Sequence, residues 1–180
     1  MRILGIDPGS RICGYGVIEI KGNSLILVEY GVVKVNKKAD PLSARILEIY
    51  KRLSEVIKRT KPDIAAFENL FFSKNVQSLV KLSHARAAAV LAAAENELHI
   101  SEFSPREIKK SVSGNGNATK EQVQFMVKTI LDIDETPEFY DVTDALAVAI
   151  CHSIRSNQKT GSVKSWKEFI EQNPERVTKH

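Results

Sequence analysis

With 180 residues, 43% hydrophobic and 27% charged, the chain has the make-up of one globular domain with room for a sizeable core. No apolar run approaches the roughly 18 residues a membrane span needs, and the first residues enter an apolar strand rather than a basic, cleavable leader. These features argue against a membrane-spanning chain and predict a cytoplasmic protein without membrane contact. The net charge of +4 is mild, so its distribution is more informative than its total. No acid lies between Glu68 and Glu95, where Lys74, Lys81 and Arg86 occur. Residues 105–130 hold Arg106, Lys109, Lys110, Lys120 and Lys128 against only Glu107 and Glu121. Such segments suit either a polyanion or a solvated helix face.

The first predicted element is Ile3-Leu4-Gly5-Ile6-Asp7, too short for a helix and the right length for a buried strand. It ends in one carboxylate before a Pro8-Gly9 turn. Strands follow at about 13–20 and 25–35, joined through Gly22-Asn23, which suits a two-residue hairpin. Gly31 reads as a bulge in the third strand. The three make an antiparallel meander.

A helix from about Pro41 to Thr60 has apolar residues at Leu42, Ile46, Ile49, Leu53, Val56 and Ile57, with Asp40 as N-cap and Pro41 at its first position. Residues 63–68 form a second buried strand ending in a carboxylate, Glu68. Strand, helix and strand in that order suggest a parallel crossover, which makes the two acids neighbours at the carboxyl edge of one sheet. An Ala-rich helix spans Val76 to Leu98. Its small residues suit close packing against a second subunit or within its own.

A fifth strand covers His99–Phe103, and Pro105 opens a short helix to Val112. Thr119 caps the next helix in a capping box with Gln122. The last strong helix opens at Asp141-Val142-Thr143-Asp144, is apolar nearly all round after its first turn, and loosens beyond Arg155. A short helix-forming piece lies around Trp166 to Ile170. Cys13 and Cys151 sit in apolar contexts without metal-ligand spacing and read as reduced and buried.

Asp7, Glu68, Asp141 and Asp144 are the candidate site. Asp141 and Asp144 are three apart, so they share a helix face about 5–6 Å apart. Three of the acids have a structural reading alone: Asp7 as a turn aspartate, Asp141 as a helix cap, Asp144 as a charge favoured by the helix dipole. Glu68, ending an apolar strand, is harder to explain structurally. Together they read as a site, since converging carboxylates cannot all ionise without a compensating cation. Hard divalent ions prefer such oxygen donors. Two of them about 3.5–4 Å apart form the usual clamp for attack of water on a phosphodiester.

The motifs Gly5-Ile6-Asp7-Pro8-Gly9, Gly14-Tyr15-Gly16, Phe67-Glu68, Phe71 and Lys74-Asn75 resemble the RuvC-type Holliday junction resolvases. So do Lys81-Leu82, Ala85-Arg86, Lys109, Gly114-Asn115-Gly116, Lys120 and the run from Asp141 to His152. The resemblance runs in order from about residue 1 to 155. It implies an α/β, RNase H-like fold, a five-stranded mixed sheet with helices on both faces, over residues 1–156. Residues 157–180 would be a basic C-terminal tail. It further implies a homodimer that makes paired symmetric nicks in four-way junction DNA, working with the RuvAB branch-migration motor complex. It implies two Mg²⁺ per site, with Mn²⁺ able to substitute, and Asp7, Glu68, Asp141 and Asp144 as catalytic and metal-binding residues.

DNA contacts would come from Phe71, Lys74, Lys81, Arg86, Lys109 and Lys120. Phe71 would stack at the opened crossover or, as its alternative, sit in the core. Lys109 and Lys120 would meet phosphates or be solvated surface lysines. Two other readings compete. Actin-like and heat-shock-chaperone ATPases also open with Gly-Ile-Asp and a glycine turn, but need two duplicated halves. A junction-binding protein without catalysis, or a related nuclease acting on RNA, is the third reading.

Overall fold

A computed structural model describes residues 1–35, 41–69, 76–133 and 140–159. The strands are β1 (Arg2–Asp7), β2 (Ile12–Lys21), β3 (Ser24–Lys34), β4 (Ile64–Glu68) and β5 (His99–Phe103), and the helices are α1 (Leu42–Thr60), α2 (Val76–Glu95), α3 (Pro105–Ser113), α4 (Lys120–Leu131) and α5 (Tyr140–Lys159). They form one mixed sheet in the order β3-β2-β1-β4-β5. β1, β2 and β3 are an antiparallel meander, and β4 pairs in parallel with both β1 and β5. This is the five-stranded mixed sheet that the resemblance implied.

Strand alternation divides the core in two. Ile3, Ile18 and Ala66 face a layer built from α3, α4 and α5. Leu4, Ile6, Val17, Ala65 and Phe67 face α1 and α2. Ile3, Leu4 and Ile6 are fully buried, each burial being worth about 1.5–3 kcal/mol, so β1 is the spine of the sheet. The same alternation puts Gly5 and Asp7 of β1, Gly14 and Gly16 of β2, and Glu68 of β4 on the α5 face.

Several local expectations change. The β3 irregularity is at Val28: Val17 pairs with Glu29 and Ile18 with Leu27, leaving Val28 as the extra residue. Gly31 pairs regularly with Tyr15, whose ring lies across the space a side chain at Gly31 would fill. Pro41 is the N-cap of α1 rather than its first helical residue, because its ψ of 153° is extended; Asp40 lies outside the described residues. The hairpin turn is Gly22-Asn23, with Gly22 at φ +59° and Lys21 paired to Ser24.

The alanines of α2 face inward. Ala85, Ala88, Ala89, Ala92 and Ala93 are buried with Leu4, Ile6, Leu53 and Phe67, so the small-residue stripe brings α2 close to its own sheet and α1. The outer side of α2 carries exposed Val76, Val80 and Leu91. Helix α5 continues to Lys159, beyond the loosening expected at Arg155. Cys13 and Cys151 are buried free thiols. Among the described residues, no helix is long and apolar enough to cross a membrane.

Candidate active site at the carboxyl edge of the sheet

Parallel pairing of β1 with β4 ends at Ile6↔Phe67, so Asp7 and Glu68 follow side by side at the carboxyl edge. Both point to the face covered by α5, whose first turns carry Asp141 and Asp144. Three glycines make that approach possible. A Cβ on Gly5 would overlap the carbonyl oxygen of Ala145, one on Gly14 the carbonyl of Asp141, and one on Gly16 the Leu146 side chain. The start of α5 therefore lies directly on the backbones of β1 and β2, and its two aspartates arrive beside Asp7.

The four acids interact strongly. Burial, then the charges of Asp144, Asp141 and Glu68, push the Asp7 carboxyl up to about 7, with Lys120 pulling the other way. Burial also raises Glu68, assisted by Asp144 and opposed by Lys109 and Lys120. Burial raises Asp144 too, against its hydrogen bond from Lys120.

The basic side of the site comes from two capped helices. Ser104 and Glu107 form a capping box that starts α3, with Pro105 in its first turn, and α3 carries Lys109 within electrostatic reach of Glu68 and Asp144. Thr119 and Gln122 form the expected capping box of α4, making Lys120 its first residue. A cation is out of place at a helix N-terminus. Lys120 instead reaches across, its Nζ 2.7 Å from Asp144 Oδ2 and 5.0 Å from the centre of the Tyr140 ring. Burial opposes its charge, but the pairing with Asp144 prevails and its pKa is raised.

The remaining sequence candidates divide. Lys81 is exposed on α2. Arg86 is not open to a phosphate: its side chain is 11% exposed and its guanidinium is engaged by Glu68, Glu102 and Phe67. Phe71 and Lys74 lie outside the described residues. Tyr140 was not singled out from the sequence, since nothing local marks it as the neighbour of Lys120, twenty residues earlier.

As the side chains lie, no three His, Cys, Asp or Glu residues among those described form a ready group for one metal ion, and Lys120 is closed on Asp144. The donor chemistry still fits a hard divalent cation. Four oxygen-donor acids share one edge, and burial, then the charges of the neighbouring acids, raises Asp7 to about 7, an unfavourable charge that a bound cation would offset.

The fold and this edge define a class: an RNase H-like α/β protein with carboxylates gathered at the ends of its central strands. The family model for crossover junction endodeoxyribonuclease RuvC matches residues 3–152. A crossover junction endodeoxyribonuclease RuvC from Cytophaga hutchinsonii is 43% identical over 175 residues, covering 97% of this chain and 87% of that protein. Its counterpart from Geotalea uraniireducens is 48% identical over 164 residues, covering 91% and 94%. The structure of T. thermophilus RuvC in complex with Holliday junction substrate superposes with a TM-score of 0.83 at 34% identity, covering 89% of this chain and 97% of that one. The chain belongs to the RuvC family of crossover junction endodeoxyribonucleases.

Proposed function

We propose that this chain resolves Holliday junctions by hydrolysing phosphodiesters at the edge formed by Asp7, Glu68, Asp141 and Asp144. Family membership supports the reaction and the junction substrate, and the family is one of metal-dependent nucleases. The observation that carries the site assignment is the convergence of the four acids on one sheet edge, with Asp7 raised to about 7 by burial and its neighbours.

Two Mg²⁺ ions, or Mn²⁺ in their place, would be held by these carboxylates and would supply activation of water and stabilisation of the leaving oxygen. Asp7, whose charge is coupled to those of Glu68 and the α5 pair, would be the carboxylate shared between the two ions. The chain's own part is then electrostatic. The carboxylates fix the acidic edge, and Lys109 and Lys120 offer positive charge beside it to the phosphate. Lys120 has two roles in this reading: counter-ion to Asp144 in the metal-free chain, and phosphate contact once metal neutralises that acid. Lys81, Lys74 and Phe71 complete the proposed DNA contacts, Phe71 by stacking at the crossover.

Purified protein with Mg²⁺ should nick a synthetic four-way junction at symmetric positions, leaving ends a ligase can seal. Lys120→Ala should slow single-turnover cleavage about 100-fold, the scale expected for losing one charge-stabilising group, with junction binding retained. Intact junctions together with ATP hydrolysis would favour the ATPase reading instead.

The functional unit we propose is a homodimer, because a four-way junction has approximate two-fold symmetry and each chain supplies one site. The exposed side of α2, with Val80 46% and Leu91 60% exposed, offers an apolar strip that suits an isologous contact. Leu91→Glu should convert a dimer to monomers in sedimentation and uncouple the paired nicks. A Leu91→Glu protein that stays dimeric would move the interface elsewhere. Action on chromosomal junctions in the cytoplasm, with the RuvAB motor as partner, belongs to the same proposal and rests on family membership.

A further inference from the structure

Arg86 is built into the fold at the point where Glu68 leaves the sheet. Its Nη1 donates to the Glu68 carbonyl oxygen at 2.6 Å, and its Nη2 donates to Glu102 Oε1 at 2.5 Å. The guanidinium carbon lies 5.2 Å from the centre of the Phe67 ring. One side chain of α2 thus holds the last residues of β4 and ties them to β5.

Sheet register explains why this carbonyl needs a side-chain donor. Asn69 N–H donates to the Phe103 carbonyl, so residues 67 and 69 direct their backbone groups to β5, and Glu68 directs its own to β1. Continuing the parallel register one rung past Ile6↔Phe67 makes residue 8 the donor for the Glu68 carbonyl. Residue 8 is proline and has no N–H. The turn that releases the chain after Asp7 therefore leaves the Glu68 carbonyl without its ladder partner, and a half-buried carbonyl left so is costly. Arg86 supplies the missing bond. Glu102 offsets the guanidinium charge, and the Phe67 face stacks beneath it.

We infer that Arg86 is a positioning residue for Glu68: it locks the end of β4 so that the Glu68 carboxylate is presented beside Asp7, rather than contacting DNA. The inference rests on the proposal that Glu68 belongs to the metal-binding edge. Residues that orient metal ligands commonly alter metal affinity or activity by about 10–100-fold when removed.

The test compares wild type, Arg86→Met, Arg86→Lys and Glu68→Gln. Arg86→Met keeps an unbranched chain over Phe67 but removes every donor. Mn²⁺ binding to the DNA-free protein is followed by electron paramagnetic resonance, junction affinity is measured in Ca²⁺, and cleavage is titrated with Mg²⁺. Arg86→Met should weaken Mn²⁺ binding about 10-fold and raise half-saturating Mg²⁺ by a similar factor, while junction affinity changes less than about 2-fold. Arg86→Lys should recover part of the loss, and decides the matter if Arg86→Met fails to fold. Weakened junction binding with unchanged Mn²⁺ affinity would make Arg86 a DNA contact and overturn the inference; so would no change in either. Wild-type cleavage and Mn²⁺ binding by Glu68→Gln would instead overturn the site assignment itself, whatever the Arg86 variants do.

Discussion

Asp7→Asn should abolish junction cleavage while making the metal-free protein more stable. Both halves follow from the same crowding. An unfolded aspartate titrates near 3.9, whereas burial and the charges of Asp144, Asp141 and Glu68 raise the folded Asp7 to about 7. Between those values the folded chain keeps a proton that the unfolded chain has lost. Its unfolding free energy therefore falls as pH rises from about 4 to about 7, and the full penalty is present above that window. A shift of this size corresponds to about 4 kcal/mol at most. Water at the sheet edge and the flexibility of neighbouring acids reduce the expected gain to about 1–2 kcal/mol.

For a chain of this size that gain means a melting temperature higher by roughly 3–6 °C at pH 8 without metal, shrinking towards pH 4. Asparagine keeps the shape and one acceptor oxygen but loses the charge that would hold a cation. Cleavage should fall by about 10³-fold or more, with junction binding in Ca²⁺ retained. Thermal melts across pH and a single-turnover cleavage assay check the two halves separately. A lower melting temperature at pH 8 would contradict the crowding argument, and normal cleavage would remove Asp7 from the site.

The legible parts of the molecule were those written in local chemistry. Asp7 and Glu68 could be paired from sequence because each ends a short apolar run, and a strand-helix-strand order puts such ends on one edge. The capping box at Thr119 and Gln122 was visible for the same reason, whereas its counterpart at Ser104 and Glu107 passed unread although its signal was equally local. What stayed hidden depends on register and on the packing of distant elements. Arg86 read as a cation in an acid-free stretch and, through the resemblance, as a DNA contact; its bond to the Glu68 carbonyl becomes intelligible only from the β1–β4 register. The alanines of α2 signalled close packing without saying against what, and the answer was their own sheet. Gly14 and Gly16 marked the family motif, but their physical purpose needed α5 on the page.

That purpose leads to a substitution with a large expected structural effect, Gly14→Ala. Gly14 is directly opposite Asp7 in the β1–β2 ladder, and a Cβ there would overlap the backbone carbonyl of Asp141 and stand 2.9 Å from the Asp141 Cβ. The obstacle is backbone on both sides, so no side-chain rotation relieves it. Helix α5 must lift, or β2 must bend. Overpacking of this kind costs about 1–3 kcal/mol and sometimes more, and the top of that range is expected because α5 is the buried centre of its layer, with Ala145, Leu146, Ala149 and Ile150 inaccessible to solvent. The melting temperature should drop by about 6–12 °C.

Lifting α5 also moves Asp141 and Asp144 away from Asp7 and Glu68. A displacement near 1 Å can cost about 100-fold in rate, so cleavage measured well below the new melting temperature should fall on that scale while the fold persists. Gly22→Ala is the matched control. Its φ of +59° makes any side chain strained, but a Cβ there meets nothing within 4 Å. It should cost about 1–2 kcal/mol and leave cleavage unchanged. Equal losses of activity from the two variants would mean that stability alone sets the rate. A Gly14→Ala protein that cleaves normally would show that the acids on α5 need not lie against the meander to work.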